Sequence, residues 1–267
     1  MSLGLLDLPA PLWSLVDRAL AAAWLPAGVR VAVFGVLSGW LCMWLYRRWS
    51  RQDQLAALAP QVKAARADLA AWDGDFAGLM ARVRTVFALS GRHLRLTFAA
   101  AMLAGLPVLL VLPWLSNQFG HAWPAPGEPV RVQVLAPLTP PATLAWTVPA
   151  QAPALRTIPG EIGPAWRVAW PAPGTALALA ADGVPLLALP LAAPVPVVHR
   201  RVPAWNWLVG NPAGYLADDA PVEAIAIDLP PRQLHGVGPA WLRGWLAVYF
   251  IVVIVVSLAL KARWRLH

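Results

Sequence analysis

The sequence predicts an integral membrane α-helical protein: three transmembrane helices and a cytosolic helical hairpin, joined to an extracytoplasmic antiparallel β-sandwich-like domain. Three observations predict it. The chain carries a formal net charge of +8, and all of it lies in two segments that flank long apolar runs. Residues 47–95 hold nine Arg/Lys against four Asp/Glu, and the tail adds Lys261, Arg263 and Arg265. The remaining charges sum to zero. Three runs are each about the length a helix needs to cross a ~30 Å hydrocarbon layer. Finally, 22 of the 28 prolines fall within residues 117–240, where short Val-, Ala-, Leu- and Trp-rich stretches replace any long run.

The charge pattern also orients the chain. Lys and Arg accumulate at the cytoplasmic ends of spans because insertion follows their bias in short loops. Span one, residues 27–46, ends at Arg47-Arg48. Span two, residues 96–116, begins after Arg92, His93 and Arg95. Span three, residues 243–260, ends at Lys261. Residues 47–95 and the tail 261–267 are therefore expected inside, and the N-terminus outside. Tryptophan favours the membrane–water boundary. Trp24, Trp114, Trp241 and Trp245 fit an outer belt, and Trp44, Trp49 and Trp264 an inner one.

Residues 1–26 have no basic segment before the apolar stretch, and Asp7 and Asp17 interrupt it, unlike a cleaved signal peptide. Leu12, Leu15, Val16 and Leu20 recur at helical spacing, with Ser14, Asp17 and Arg18 elsewhere around the turn. That pattern suits a short helix in the outer interface; a loose N-terminal tail is the alternative.

Residues 47–95 read as a coiled-coil hairpin. Leu55, Leu58, Val62, Ala65, Leu69 and Trp72 step by three and four, and Phe76, Leu79, Val83 and Val86 resume the stepping. Such a 3.5-residue repeat packs two helices along a seam. The predicted seam is Leu58, Val62, Leu69, Trp72, Phe76, Leu79 and Val83. Asp73-Gly74-Asp75 breaks it: Gly74 is suited to a left-handed C-cap and Asp75 to an N-cap. Pro60 lacks an N–H and is expected to kink or restart the first arm. Lys63, Arg66, Arg82 and Arg84 take outward positions. They form either a solvated face or a basic face toward anionic lipid or ribosomal RNA.

Within residues 117–242, strands are expected at 130–135, 143–148, 166–170, 176–181, 186–191, 195–198 and 222–228, with Pro and Gly punctuating them. Asp182-Gly183 is a hairpin-turn pair. A Pro-rich extended segment is the alternative, against which the alternation and the Trp content speak. Six Arg oppose seven Asp/Glu here, which excludes long-range steering of nucleic acid such as DNA. Trp205, Trp207, Leu208 and Tyr215 stand within one Pro/Gly/Asn-rich stretch as partner-binding candidates, since exposed Trp and Tyr anchor interfaces. Packing on the domain core or on the outer leaflet is the competing role.

No enzyme chemistry is expected. The five histidines are scattered, Asp218-Asp219 suits a turn, and no phosphate loop, nucleophile elbow or zinc signature occurs. No cofactor or metal is expected. The only cysteine, Cys42, lies in span one, so no intrachain disulfide forms.

The stretch Leu58-Ala-Pro60-Gln-Val-Lys-Ala-Ala-Arg66-Ala-Asp-Leu69 resembles the Leu-x-Pro-(x)n-Arg-x-x-Leu pattern that opens the hairpin of bacterial YidC/Oxa membrane protein insertases. Leu106-Pro107, with the apolar run after it, is similar to the span that follows that hairpin. The order of spans resembles the minimal three-span members of the superfamily, with the outer domain added. The resemblance covers about residues 10–117, and more weakly 243–263. It implies an insertase-like protein of a bacterial inner membrane that assists insertion or assembly of a membrane client. The alternative is a non-catalytic scaffold subunit of a cell-envelope complex, with the β-domain binding a partner. The bacterial family keeps an arginine in its first core span, at a position that falls near Ser38-Gly39 here. No charge lies within the three apolar runs; Arg30 stands at the outer edge of the first. Intramembrane charge marks a polar path. Ser38, Thr97 and Ser257 are the groove-lining candidates that remain, although such hydroxyls commonly bond their own helix.

Overall fold

In a computed structural model of the chain, residues 4–135, 143–147, 156–158 and 163–265 are described. The chain divides into two compact units: residues 1–31 with 110–248, and residues 32–109 with 249–267.

The helices are α1 (Ala10–Ala22), α2 (Ala27–Trp49), α3 (Gln52–Ala70), α4 (Phe76–Phe119), α5 (Pro203–Leu208) and α6 (Trp245–Trp264). Three of them, α2, α4 and α6, are long and apolar enough to cross a membrane. Only 28, 18 and 11% of their apolar windows are buried within the protein. So much apolar surface facing outward is unusual for a water-soluble chain.

In the hairpin unit, α3 and the first half of α4 form the arms. Leu55 and Leu58 are buried, and Val62, Leu69, Trp72, Leu79, Val83 and Val86 are half-buried, along the three-four stepping. Phe76 is 71% exposed and does not join the seam. It is the first residue of α4, just after the turn. Its predicted place beside Trp72 is taken by Arg82, whose guanidinium lies 3.5 Å from the Trp72 ring centroid and pairs with Asp68 at 2.9 Å. Arg82 is thus not an outward charge. Its long stem and flat cation cover the indole as a hydrophobe would while keeping an ion pair.

The turn also departs from expectation. Gly74 is not in the left-handed region. Its lack of a side chain makes room for the Trp72 indole, which a Cβ there would overlap. Asp75 does cap: its carboxylate accepts from the Gly78 N–H at 3.3 Å, three residues into α4. Helix α3 runs through Pro60 without restarting. Pro60 and Ala56, whose carbonyl loses its partner, are both exposed, so solvent can satisfy that oxygen. The second arm and the second apolar run are one 44-residue helix rather than two elements meeting at residue 96.

In the same unit, α2 and α6 pack closely. A Cβ on Gly35 would lie 3.0 Å from the Val252 side chain and 3.1 Å from the Tyr249 carbonyl oxygen. On Gly39 it would lie 3.1 Å from the Val253 oxygen. Four-residue spacing puts both glycines on one helix face, which lets the two backbones approach closely.

The other unit holds two antiparallel sheets. One has the order β3-β4-β1-β8-β7: Arg156–Thr157, Ala165–Ala169, Pro129–Leu135, Ala224–Ile227 and Val197–His199. The second is β2 (Leu144–Thr147), β5 (Leu177–Ala181) and β6 (Val184–Leu189). Alternation explains the pairing. Val130, Val132 and Val134 of β1 point inward, as do Ile225 and Ile227 of β8. They share one core with Trp166 and Val168 of β4, Leu177 and Leu179 of β5, and Leu187 and Leu189 of β6. Asp182 and Gly183 have φ of 49° and 84°, as a tight turn matching strand twist requires. All seven expected strands have a counterpart; Val148, the end of one, lies outside the described residues. The short β3 was not expected, nor was α5, which occupies a stretch that reads as loop.

Shortening Leu55 to Ala should cost the hairpin about 2–5 kcal/mol, since it is fully buried. Phe76→Ser should stay within about 0.5 kcal/mol. Thermal circular dichroism of the full chain in detergent measures both; equal losses would remove the asymmetric seam.

Candidate functional site

The sequence-predicted groove residues occupy three helices, Ser38 on α2, Thr97 on α4 and Ser257 on α6. Ser38 is buried on α2 with the Tyr249 hydroxyl as its polar neighbour, although Tyr249 Oη has no well-formed hydrogen bond. Thr97 Oγ1 bonds to the carbonyls of His93 and Leu94, each at 3.0 Å, and so satisfies itself on its own helix. Ser257 is half-buried on α6. None of the three lines any of the four cavities described below.

The partner candidates separate into two pairs. Helix α5 presents Trp205 and Trp207, 58 and 68% exposed. Between them Asn206 is buried; its Oδ1 accepts from the Val202 N–H at 2.6 Å and its Nδ2 donates to the Val209 carbonyl at 3.3 Å. That clamp fixes the short helix and holds both indoles outward. Leu208 is half-buried. Tyr215 turns inward: its hydroxyl accepts from the Asn211 N–H at 3.0 Å and its ring packs edge-on against His199. Those two residues support the loop and do not join the exposed pair.

Sequence reasoning missed a polar centre in the same unit. On α1, Asp17 is buried and Ser14 half-buried, whereas Leu12 and Leu15 are more than half exposed. The helix is inside out relative to a helix of a water-soluble protein: its polar stripe faces protein. Asp17 Oδ2 accepts from Arg30 of α2 at 2.9 Å and from Gln118 Nε2 of α4 at 3.5 Å. Side-chain exposure of the ion pair is 12% for Arg30 and 5% for Asp17. Asp17 Oδ1 and Arg30 Nε have no hydrogen-bond partner among the described residues. The guanidiniums of Arg30 and Arg232 each lie 5.3 Å from the ring centroid of the fully buried Phe119. Arg232 also donates to the Gln118 carbonyl at 3.2 Å. Burial pushes the Asp17 carboxyl above its ordinary range, against the opposing pull of Arg30, Arg232 and Gln118.

Two further bonds tie α1 into this unit. Trp114 Nε1 donates to Ser14 Oγ at 2.9 Å, and Trp13 Nε1 to the Leu110 carbonyl at 3.2 Å. Trp114 is consequently buried rather than part of an outer belt, because its N–H finds its partner in protein. Ahead of α1, Asp7 Oδ2 accepts from the N–H groups of Gly4 at 3.0 Å and Gly210 at 2.6 Å. Only glycine fits at position 4, where a Cβ would sit 2.6 Å from the Leu208 oxygen. The signal in the sequence was the isolation of Asp7, Asp17 and Arg30 in an otherwise apolar stretch, where an unpaired charge is costly.

A cavity of about 470 Å³ adjoins this centre, lined among others by Asp7, Ser14, Trp114, Asn117, Gln118 and Trp123. It offers amides, a carboxylate and two indoles. A second cavity, of about 660 Å³, has His199, Arg200, Arg201, Asp218 and Glu223 on its walls. Its charges are mixed, and Arg200 and Glu223 stand 3.6 Å apart. Two others, of about 630 and 430 Å³, lie in the hairpin unit. Among the described residues no three His, Cys, Asp or Glu side chains group as a metal site. No family model, curated protein or solved structure matches the chain.

Breaking the ion pair with Arg30→Met should cost about 3–5 kcal/mol, because it strands a buried carboxylate. Replacing both partners, Asp17→Leu with Arg30→Met, should recover most of that loss in thermal melts of the full protein. The pH dependence has a definite sign. A carboxyl whose folded pKa is raised binds protons more readily when folded. Its contribution is greatest below the unfolded value and is lost as pH rises through the folded one. Asp17→Asn should flatten that part of the stability–pH curve; an unchanged curve would mean the carboxyl titrates normally.

Proposed function

We propose that this chain is a three-span protein of a bacterial inner membrane, N-terminus outside and C-terminus inside. Its role is to hold a membrane-protein client, or subunits of an envelope complex, during assembly. The observation that carries the holding role is the close packing of α2 on α6 through Gly35 and Gly39, with Ser38 buried. A translocating groove lowers the cost of moving polar groups past lipid and needs polar walls to do so. The α2–α6 contact offers only Ser38 and the Tyr249 hydroxyl, both buried. What α4 offers instead is a broad apolar flank, with Phe98, Met102, Leu103, Leu106 and Leu109 exposed. The clamped Trp205 and Trp207 on α5 give the β-domain a rigid aromatic surface suited to a protein partner. The orientation rests on the basic excess of residues 47–95 and the tail.

Insertase activity itself is the second reading. It is favoured by the order of elements: a short helix, a span, a helical hairpin and two further spans, as in the YidC/Oxa superfamily. The proposed roles separate in proteoliposomes given a short-tailed single-span substrate. Holding predicts crosslinks to the substrate with insertion no greater than in empty liposomes. A several-fold stimulation would overturn holding in favour of insertion. The Trp205→Ala, Trp207→Ala double variant should release copurifying partners while the protein stays in the membrane.

Topology has its own test, on a Cys42→Ser background. A cysteine at Asp182 should be labelled from outside, and one at Gln61 should not. Labelling at Gln61 from outside would reverse the orientation.

A further inference from the structure

We propose that the ends of α2 and α6 form a binding site for the phosphodiester headgroup of an anionic phospholipid, a site that rests on reading these helices as membrane spans. A cavity of about 630 Å³ is lined by Arg47, Ser50, Arg51, Gln52, Trp264 and Arg265, with Asp53 the only acid among its lining residues. Three guanidiniums against one carboxylate leave the cavity net positive. Arg47, Arg51 and Arg265 are exposed, and no carboxylate pairs with any of them among the described residues. Arginine rather than lysine suits such a ligand, because the planar fork donates two parallel N–H bonds to phosphate oxygens.

Helix α3 starts at Gln52 with no side-chain cap, and Gln52, Asp53 and Gln54 of its first turn line the same cavity. Arg265 has φ of 51°, in the left-handed position where a helix end usually takes glycine. The Arg47 guanidinium lies 5.4 Å from the Trp264 ring centroid. That stacking holds the cation without using its N–H groups. Trp264 and Trp49 favour the membrane interface, which sets the cavity at headgroup depth.

A lipid headgroup and free phosphate share this chemistry, and the test distinguishes them. Purified full-length protein is loaded with phosphatidylglycerol or with phosphatidylcholine, and the lipid retained is measured by native mass spectrometry. Wild type should retain phosphatidylglycerol in clear preference. Arg265→Gln, at the exposed chain end where folding is not at stake, should weaken retention about fivefold, and the triple Arg47→Gln, Arg51→Gln, Arg265→Gln variant further still. Arg84→Gln, on the hairpin away from the cavity, should change nothing. Equal retention of both lipids, or unchanged retention in the triple variant, would overturn the site. Displacement of phosphatidylglycerol by millimolar inorganic phosphate would overturn the lipid in favour of a free anion. Carbonate extraction of wild-type protein from membranes would overturn the span reading itself, which a loss of lipid preference alone does not.

Discussion

Everything in this fold follows from a shortage of protein interior for its apolar surface. Helices α2, α4 and α6 bury less than a third of their apolar windows in protein. In water that exposure would drive aggregation; in hydrocarbon it costs nothing, because lipid tails are as apolar as leucine. On the reading of these helices as membrane spans, every polar side chain on them must find a partner in protein, reach an end, or bond its own backbone. All three outcomes are present. Asp17 and Arg30 pair, Arg47, Arg48 and Lys261 stand at helix ends, and Thr97 bonds back to its own turn.

The inside-out character of α1 is the same rule acting at a boundary. Helix α1 exposes Leu12 and Leu15 and turns its Ser14–Asp17 stripe toward protein, as a helix between solvents of opposite polarity would on the same reading. The ion pair this creates is weak evidence for stability, since desolvation offsets much of the Coulomb gain. It specifies position instead. Asp17 reaches two other helices through side chains from sequence positions 30 and 118, while Asp7 reaches Gly210. An apolar surface slides over lipid-like neighbours without preference. Hydrogen bonds of fixed length do not, so the register of the N-terminal segment is set by polar atoms.

This explains which parts were legible in the sequence. The three apolar helices and the β-strands depend on periodicity and length, which are local. The hairpin seam was readable for the same reason at Leu58, Val62 and Leu69, and failed at Phe76, which opens α4 exposed while Arg82 covers Trp72. Arg82 was misread because charge suggests solvent, whereas a guanidinium also covers an indole. The polar centre was not legible because its members come from residues 17, 30, 118 and 232, and nothing local couples them. Tyr215 likewise carries the composition of an interface anchor and the geometry of a loop support. Only the Asn211 N–H that it accepts distinguishes the two.

The distribution of charge and the closure of the core bear on each other. A path for polar segments through the membrane needs buried dipoles or charge along its length, and the close approach of α2 and α6 at Gly35 and Gly39 leaves little room for them between those two helices. The basic excess then has no inward role along the helices and gathers at their ends, where α2 and α6 finish in arginines with Trp264 beside Arg47. Arginines at a boundary both orient a chain during insertion and attract anionic headgroups afterwards. The first needs only their number. The second needs them convergent, and Arg265, distant in sequence from Arg47 and Arg51, lines one cavity with them. Convergence of residues from separate elements is what a charge count does not require, and it is why that end of the molecule reads as a site and not merely as a topological signal.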